Sequence, residues 1–214
     1  MRVEDEVIVY DQHGMFSAPR VWFMLRLYGM EKVRVLQGGL PAWKSEAFAT
    51  QSMAAMPQQP RGAALSESEV KQFKRQEGQD GWGVVDMQRV NEVAKRNLSE
   101  PEERWSSIII DNRSAARYKA EVPEPRPNCR SGHVATAKNL PFTEVLDESN
   151  AFKSDGELAA ILKERGIPLE KELIWYCGSG LTACVPLLAA HVLGAKNQKI
   201  YDGAWVEYGS FPPP

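Results

Sequence analysis

The stretch LIWYCGSGLTA, residues 173–183, decides the fold class of this chain. Four apolar residues lead to Cys177, as in a short buried strand, and a loop with two glycines follows. A helical pattern of apolar and small residues then runs from Ala183 to Leu193. Because the N–H groups and the dipole at a helix N-terminus favour anions, this order favours a Cys177 thiolate. The sequence therefore predicts a strand–loop–helix unit with a nucleophile in its loop.

The chain contains this unit twice. Residues 7–11 (VIVYD) form another β-branched run, and a helical pattern follows over Ser17–Gly29. The ends of that pattern are twelve positions apart, as are the ends of Thr182–Gly194 in the second copy. Glycine at both exits suits the left-handed residue that ends many helices. Asp11 stands where Cys177 stands, so the first copy lacks the nucleophile.

The remaining patterns alternate between strands and helices, which predicts an α/β fold with a mostly parallel sheet. In such sheets ligands bind at the carboxyl ends of the strands, where Asp111, Arg113 and Cys177 fall. The predicted elements are an amphipathic helix over residues 84–97, a buried strand over 107–111, an irregular proline-containing loop over 121–131 and a helix over 157–165.

A change of composition separates the two copies. Residues 51–62 are rich in Gln, Pro, Ala and Met and show no periodicity, which is typical of a linker. A polar helical stretch over residues 67–76 follows it. We therefore divide the chain into a first unit over residues 1–50, a linker over 51–81 and a second unit over 82–214.

Bulk composition narrows the class of protein. A net charge of −2 gives no indication of binding to nucleic acid, and no apolar run reaches the length of a membrane span. Three cysteines without regular spacing argue against a disulfide framework and fit a reducing compartment. The first six residues, MRVEDE, lack the layout of a secretory signal and are too acidic for a transit peptide. We expect a cytoplasmic or mitochondrial protein without a targeting segment.

Several motifs resemble the tandem rhodanese family, and within it the 3-mercaptopyruvate sulfurtransferases. CGSGLTA (177–183) and YDGAWVE (201–207) are similar to the catalytic second domain, and residues 111–126 to its substrate-binding segment. FSAPRVW (16–22) and GGLPAW (38–43) resemble the catalytically silent first domain. The resemblance implies a rhodanese-like domain, with a central parallel sheet flanked by helices, and a partial copy of the same fold at the N-terminus.

The resemblance also implies a mechanism. Cys177 would take the sulfur of 3-mercaptopyruvate as a persulfide, release pyruvate and pass the sulfur to a thiol or cyanide. Ser179 would relay a proton or donate a hydrogen bond to the departing group, and Arg117 and Arg126 would hold the donor's carboxylate and carbonyl. No cofactor or metal is implied; the partners are a small-molecule sulfur donor and a thiol acceptor such as thioredoxin or a small thiol. The other loop residues assigned to substrate binding are Gly178, Gly180, Leu181 and Thr182.

Three alternatives can be weighed from the loop itself. Gly178 and Ser179 are uncharged, which favours a monoanionic mercapto acid over the thiosulfate dianion, so thiosulfate sulfurtransferase is the second candidate. A cysteine phosphatase would need an arginine six positions after the cysteine, where this chain has Ala183. A serine hydrolase would need the full Gly-x-Ser-x-Gly pattern, which Ser179 lacks.

The chain also departs from the family. A complete domain has about 100–150 residues, whereas the first unit has only residues 1–50, so the family's first-domain His and Asp have no counterpart. This motivates a third reading, an inactive truncated protein acting as a binding module. We expect an exposed apolar surface on the first unit, at Val9, Trp22, Leu25 and Val35. Residues 135–136 (Ala-Thr) replace the family's Pro-Gly, which predicts a looser turn.

Other conspicuous residues receive structural roles. A free cysteine is often a small buried hydrophobe, which is the role expected of Cys184, and Cys129 is taken as incidental. Asp111 and Arg113 are expected to brace the loop, His133 to be structural, and Trp43 and Trp205 to anchor the core.

Overall fold

The computed structural model of the chain describes residues 2–51 and 81–211. The helix predicted over residues 67–76 and most of the linker lie outside this range. The strands are β1 (Val7–Val9), β2 (Val33–Val35), β3 (Gly83–Val85), β4 (Ser107–Asp111), β5 (Lys138–Asn139), β6 (Glu172–Tyr176) and β7 (Gln198–Tyr201). The α-helices are α1 (Ala18–Leu27), α2 (Gly39–Ser45), α3 (Met87–Ser99), α4 (Ala115–Tyr118), α5 (Asp155–Glu164), α6 (Cys184–Val192) and α7 (Ala204–Tyr208).

Five strands form one parallel sheet in the order β3-β7-β6-β4-β5. The central pair, β4 and β6, is almost completely buried because the sheet carries helices on both faces. Ile109 pairs with Ile174, and Asp111 pairs with Tyr176, the residue before Cys177. The predicted parallel α/β sheet is confirmed, and Asp111 and Cys177 lie at the same edge of it.

The helix predicted over residues 84–97 is wrong at its start. Val84 and Val85 belong to β3, at the edge of the sheet beside β7. Asp86 then begins α3 by accepting a hydrogen bond from the Arg89 N–H at 2.9 Å. Two β-branched residues before a capping aspartate favour a strand followed by a helix, which the helical periodicity alone concealed.

The first unit is a two-stranded parallel sheet of β1 and β2 with α1 packed between it and the second unit. Trp22 on α1 lies with its ring centroid 5.2 Å from that of Trp82 and 5.2 Å from that of His191 on α6. The two units therefore share one hydrophobic core.

The prediction of an exposed apolar surface on the first unit named the wrong residues. Trp22 is buried, and Val9, Leu25 and Val35 are half-buried against the shared core. Ile8, whose side chain points to the other face of the small sheet, is 63% exposed instead. The prediction failed because it gave α1 no partner, whereas α6 covers it.

Main-chain hydrogen bonds confirm that Asp11 and Cys177 are equivalent. The Leu40 N–H donates to the Asp11 carbonyl at 2.9 Å, and the Trp205 N–H donates to the Cys177 carbonyl at 2.9 Å. Leu40, and not Trp43, is thus the counterpart of Trp205. Trp205 is fully buried as predicted, but Trp43 is 38% exposed, so its assignment to the core is wrong.

None of the helices within the described ranges has the length and apolar character needed to cross a membrane.

Candidate active site

Cys177 follows the last residue of β6 and is 2% exposed. Its carbonyl accepts from Trp205, and the carbonyl of Gly178 accepts from the Val206 N–H at 3.0 Å. Gly180 has a φ of +79°, in the left-handed region that glycine tolerates, and this residue turns the loop towards α6. The nucleophile candidate is therefore held on a loop that α7 fixes from behind.

The first copy shows what this loop geometry binds. The Asp11 carboxylate accepts hydrogen bonds from the N–H groups of His13, Phe16, Ser17 and Ala18, at 2.8, 3.0, 2.8 and 2.8 Å. Burial raises the pKa of Asp11, but these four donors outweigh it and hold the pKa below its usual value. In the first copy the loop and the helix N-terminus thus form an anion-binding cradle.

The ends of the two helices show which residues of the second copy correspond to the donors of the first. Gly29 and Gly194 end the two helices in the left-handed conformation, with φ of +88° and +99°. Counted back from these glycines, the last three donors to Asp11, residues 16–18, correspond to residues 181–183. These are Leu181 and Thr182 at the end of the Cys177 loop, and Ala183, which precedes α6.

A small pocket of about 150 Å³ opens beside the loop. Four predicted site residues line it: Arg117, Arg126, Gly178 and Ser179. Arg117 lies over the loop, since a Cβ atom added to Gly178 would be 3.0 Å from its Nη2. The other four predicted site residues, Cys177, Gly180, Leu181 and Thr182, do not contribute to this lining.

A buried ion network supports the pocket. Arg113 has no exposed side-chain surface and donates to Asp111 at 2.5 Å and to Glu124 at 2.7 Å. Burial lowers the pKa of Arg113, but the two carboxylates outweigh it and raise the pKa, so Arg113 stays charged. Asp111 and Arg113 brace the proline-containing loop, since Arg113 donates to Glu124 and to the Gly132 carbonyl, and Glu124 is a third member that the sequence did not reveal. That they also brace the Cys177 loop stays a prediction.

Comparison with known proteins identifies the fold. The model of the rhodanese-like domain matches residues 2–46 and 90–210. The chain belongs to the rhodanese-like family. Both the predicted family and the predicted fold are confirmed.

Two curated relatives are informative about this rhodanese chain. It is 39% identical over 208 residues to 3-mercaptopyruvate sulfurtransferase of Escherichia coli, covering 97% of this chain and 66% of that protein. It is 36% identical over 216 residues to thiosulfate/3-mercaptopyruvate sulfurtransferase 1, mitochondrial, of Arabidopsis thaliana, covering 98% and 55%. The chain thus spans just under two thirds of the first relative and little more than half of the second.

Two solved structures resemble the chain throughout the described ranges. The crystal structure of the 3-mercaptopyruvate sulfotransferase SseA from Escherichia coli matches with a TM-score of 0.69 and 37% identity, over 96% of this chain and 68% of that one. Tum1 protein from Saccharomyces cerevisiae matches with a TM-score of 0.77 and 26% identity, over 97% and 67%. The similarity therefore extends over both units of the rhodanese chain.

The far side of the rhodanese loop meets a residue from the first unit. Arg20 on α1 pairs with Asp202 at 2.7 Å and donates to the Gly180 carbonyl at 3.3 Å. Neither Arg20 nor Asp202 was singled out from the sequence, although both lie within motifs that carry the family resemblance. Tertiary contact alone reveals them, because they are distant in the chain.

The two other cysteines of this rhodanese differ in setting. Cys184 is fully buried, and burial raises its pKa to about 12, which confirms the role of a small buried hydrophobe. Cys129 lines the pocket beside Ser179, a position that the sequence did not suggest. Burial raises the pKa of the Cys129 thiol as well, and its sulfur lies 3.5 Å from the Trp205 carbonyl oxygen.

His133 is structural, as predicted. Its Nδ1 lies 2.9 Å from the Tyr118 carbonyl oxygen, and its ring stacks on that of Tyr118 with centroids 3.9 Å apart. These contacts tie the segment before β5 to α4.

Proposed function

We propose that the chain is a sulfurtransferase that moves the sulfur of 3-mercaptopyruvate through a persulfide on Cys177 to a thiol or cyanide. One observation carries the proposal: the Asp11 carboxylate accepts from the N–H groups of residues 16–18, and the ends of the two helices make Leu181, Thr182 and Ala183 their counterparts beside Cys177. A cradle that holds a carboxylate in one copy suits a thiolate or a persulfide in the other. The names of the relatives supply the class of donor.

The first step is an attack of the Cys177 thiolate on the donor's thiol sulfur. The C–S bond breaks, and its electron pair stays on the carbon as the enolate of pyruvate, which takes up a proton. The sulfur remains on Cys177 as a persulfide, stabilised by the N–H groups of Leu181, Thr182 and Ala183. Ser179 is exposed at the pocket, where its hydroxyl could pass the proton from donor sulfur to carbon.

In the second step, an acceptor thiolate attacks the outer sulfur. The S–S bond breaks, the Cys177 thiolate is restored, and the acceptor leaves as a persulfide. No oxidant or reductant is consumed beyond the thiol itself. We infer that the acceptor is a small thiol or a thioredoxin, in the cytoplasm or a mitochondrion.

The charges around the pocket favour a monoanionic donor. Arg117 and Arg126 line it, and Glu124 neutralises one of these two cations through its hydrogen bonds to Arg117. The buried Arg113 is balanced by Asp111. One net positive charge remains, which matches the single carboxylate of 3-mercaptopyruvate better than the two charges of thiosulfate.

The test compares two donors and one nucleophile variant. The purified chain is incubated with 3-mercaptopyruvate and dithiothreitol, and pyruvate and sulfide are measured. We expect both products from the wild type and neither from Cys177→Ser, with Cys129→Ser as the matched control. Equal product from wild type and Cys177→Ser would favour the inactive binding module. A higher kcat/KM with thiosulfate would make the chain a thiosulfate sulfurtransferase, the name that a Bos taurus relative at 34% identity bears.

A further inference from the structure

Arg20 is the point at which the first unit touches the Cys177 loop. It lies on α1, next to the proline of the first helical turn, and its side chain is 20% exposed. Its Nη1 atom is 2.7 Å from Asp202 Oδ1 and 3.3 Å from the carbonyl oxygen of Gly180. Burial lowers the pKa of Arg20, but Asp202 outweighs it and raises the pKa, so the cation persists.

The carbonyl that Arg20 holds shares a peptide group with one cradle donor. In a trans peptide the C=O of one residue and the N–H of the next point in opposite directions. Gly180 O faces Arg20, so the Leu181 N–H faces away from Arg20, towards the inside of the loop. Its counterpart in the first copy is the Phe16 N–H, which donates to Asp11 at 3.0 Å. By this correspondence, the peptide group that Arg20 holds contains the donor that would meet the Cys177 sulfur.

A glycine peptide needs such a restraint. Gly180 adopts a φ of +79°, and glycine can leave this conformation more easily than other residues can. On the other side the loop is already closed, since a Cβ atom on Gly180 would meet Asp202 Oδ1 at 2.9 Å. Asp202 and Arg20 together therefore restrict the orientation of the Gly180 carbonyl.

The same pair sets the charge beside the loop. Four groups face it from four elements: Arg20 from α1, Arg117 from α4, Cys184 from α6 and Asp202 after β7. Without Arg20, Asp202 would be an unpaired carboxylate against the loop, and it would repel an anionic sulfur.

We propose that Arg20 is a positioning residue for the Cys177 loop, by which the first unit of the chain controls the reactivity of the second. It fixes the Gly180–Leu181 peptide so that the Leu181 N–H points at the sulfur, and it neutralises Asp202. This inference rests on the proposed function, because the cradle matters only where the Cys177 sulfur carries negative charge.

The first readout needs no sulfur donor. The rate of Cys177 alkylation by iodoacetamide is measured at neutral pH by mass spectrometry of the peptide that carries it. We expect Arg20→Met to slow this rate roughly three- to tenfold, the effect of one misplaced hydrogen bond. Arg20→Lys, which keeps a cation for Asp202, should recover most of the rate. Adding Asp202→Asn to Arg20→Met should recover part of it by removing the repulsion.

The matched control is Arg26→Met. Arg26 lies on the same helix and donates to the Glu31 carbonyl at 2.6 Å, away from the loop. Its loss should leave the alkylation rate unchanged. Urea unfolding of every variant reports whether the fold is intact. If Arg20→Met does not fold, the double variant Arg20→Lys/Asp202→Asn replaces it in the test. Three results would overturn the role of Arg20. They are a wild-type alkylation rate in Arg20→Met, an equally slowed rate in Arg26→Met, and no recovery of the rate in a folded Arg20→Lys.

The second readout is turnover of 3-mercaptopyruvate. Arg20→Met should lower kcat while KM changes less than about twofold, since the two arginines that line the pocket are untouched. Absence of turnover in all variants, with the alkylation pattern intact, would reject the proposed donor and keep the role of Arg20. Normal turnover and normal alkylation in Arg20→Met would reject the role of Arg20 and keep the proposed function.

Discussion

Glu124 holds Arg117 with both of its carboxylate oxygens, at 3.0 Å to Nε and 2.5 Å to Nη2. The same carboxylate also accepts from the buried Arg113 at 2.7 Å. A guanidinium bound through two parallel hydrogen bonds has little freedom to rotate. The proline-rich loop, which carries no regular secondary structure, thus supplies the residue that fixes Arg117 over Gly178.

Glu124→Gln is expected to change donor preference. The amide keeps the shape of the side chain but releases one positive charge at the pocket and weakens the hold on Arg117. KM for 3-mercaptopyruvate should rise roughly ten- to a hundredfold, because a hydrogen bond between charged groups contributes about 1.5–3 kcal/mol. The ratio of kcat/KM for thiosulfate to that for 3-mercaptopyruvate should also rise. Steady-state kinetics with both donors measures this, with Glu121→Gln, an exposed glutamate of the same loop, as control.

Glu124 also predicts the response of stability to acid. Burial raises the pKa of Glu124, but the hydrogen bond from Arg117 and the charge of Arg113 outweigh it and hold the pKa below the usual 4.5. A carboxyl whose pKa is lowered by folding contributes stability above about pH 4.5, and the contribution is lost as pH falls through the folded value. The difference in unfolding free energy between wild type and Glu124→Gln should therefore shrink below pH 4.5. A difference that stays constant from pH 7 to pH 3 would contradict this reading of the network.

Local patterns made much of the fold predictable. The repeat, the parallel sheet and the equivalence of Asp11 with Cys177 follow from strand and helix signals within a dozen residues, and all three are present. β5 was missed because its two polar residues, Lys138 and Asn139, carry no strand pattern.

The supporting contacts were not predictable, because they join distant parts of the chain. Arg20 meets Gly180 across 160 positions, and no local spacing encodes that contact. Glu124 stood within a motif of the resemblance, but only the fold shows that it binds two arginines. Trp43 was misplaced for a different reason. The repeated motif suggested that Trp43 is the counterpart of the buried Trp205, but in the structure Leu40 takes that position and Trp43 is exposed.

Thr136 is expected to be a strained residue. Its φ is +64°, a conformation that disfavours β-branched side chains, and among the described residues its hydroxyl has no hydrogen-bond partner. The turn is closed by a hydrogen bond from the Ala137 N–H to the Val134 carbonyl at 3.0 Å, and its looseness relative to a Pro-Gly turn stays a prediction. Thr136→Gly should raise the unfolding free energy by about 1 kcal/mol, through relief of left-handed strain. Urea denaturation measures it.

The neighbouring alanine provides the control for that change. Ala135 has no positive φ, so Ala135→Gly only adds conformational freedom to the unfolded chain and should lower the unfolding free energy by about 0.5–1 kcal/mol. Changes of opposite sign in the unfolding free energy at these adjacent positions would distinguish relief of backbone strain from a general effect of glycine. Destabilisation by both substitutions would mean that the turn tolerates Thr136 without strain.

The cradle at Asp11 allows the central claim about Cys177 to be tested in the silent copy. A cysteine placed there by Asp11→Cys, with Cys177→Ser to remove the native nucleophile, would face the same N–H groups of Phe16, Ser17 and Ala18. Because these donors favour the charged form of a group, the new thiol should be alkylated by iodoacetamide at neutral pH about tenfold faster than an ordinary exposed thiol. Peptide mass spectrometry follows the rate.

The comparison thiol comes from Thr50→Cys in the same background, since Thr50 is exposed and lies outside the cradle. Cys129 and Cys184 remain in both proteins as internal references, and burial raises the pKa of each, so both should react slowly. A cysteine at position 11 that reacts no faster than the one at position 50 would show that the loop does not activate sulfur. The persulfide mechanism at Cys177 would then need a source of activation other than the backbone, and Arg117 over Gly178 would be the first group to examine.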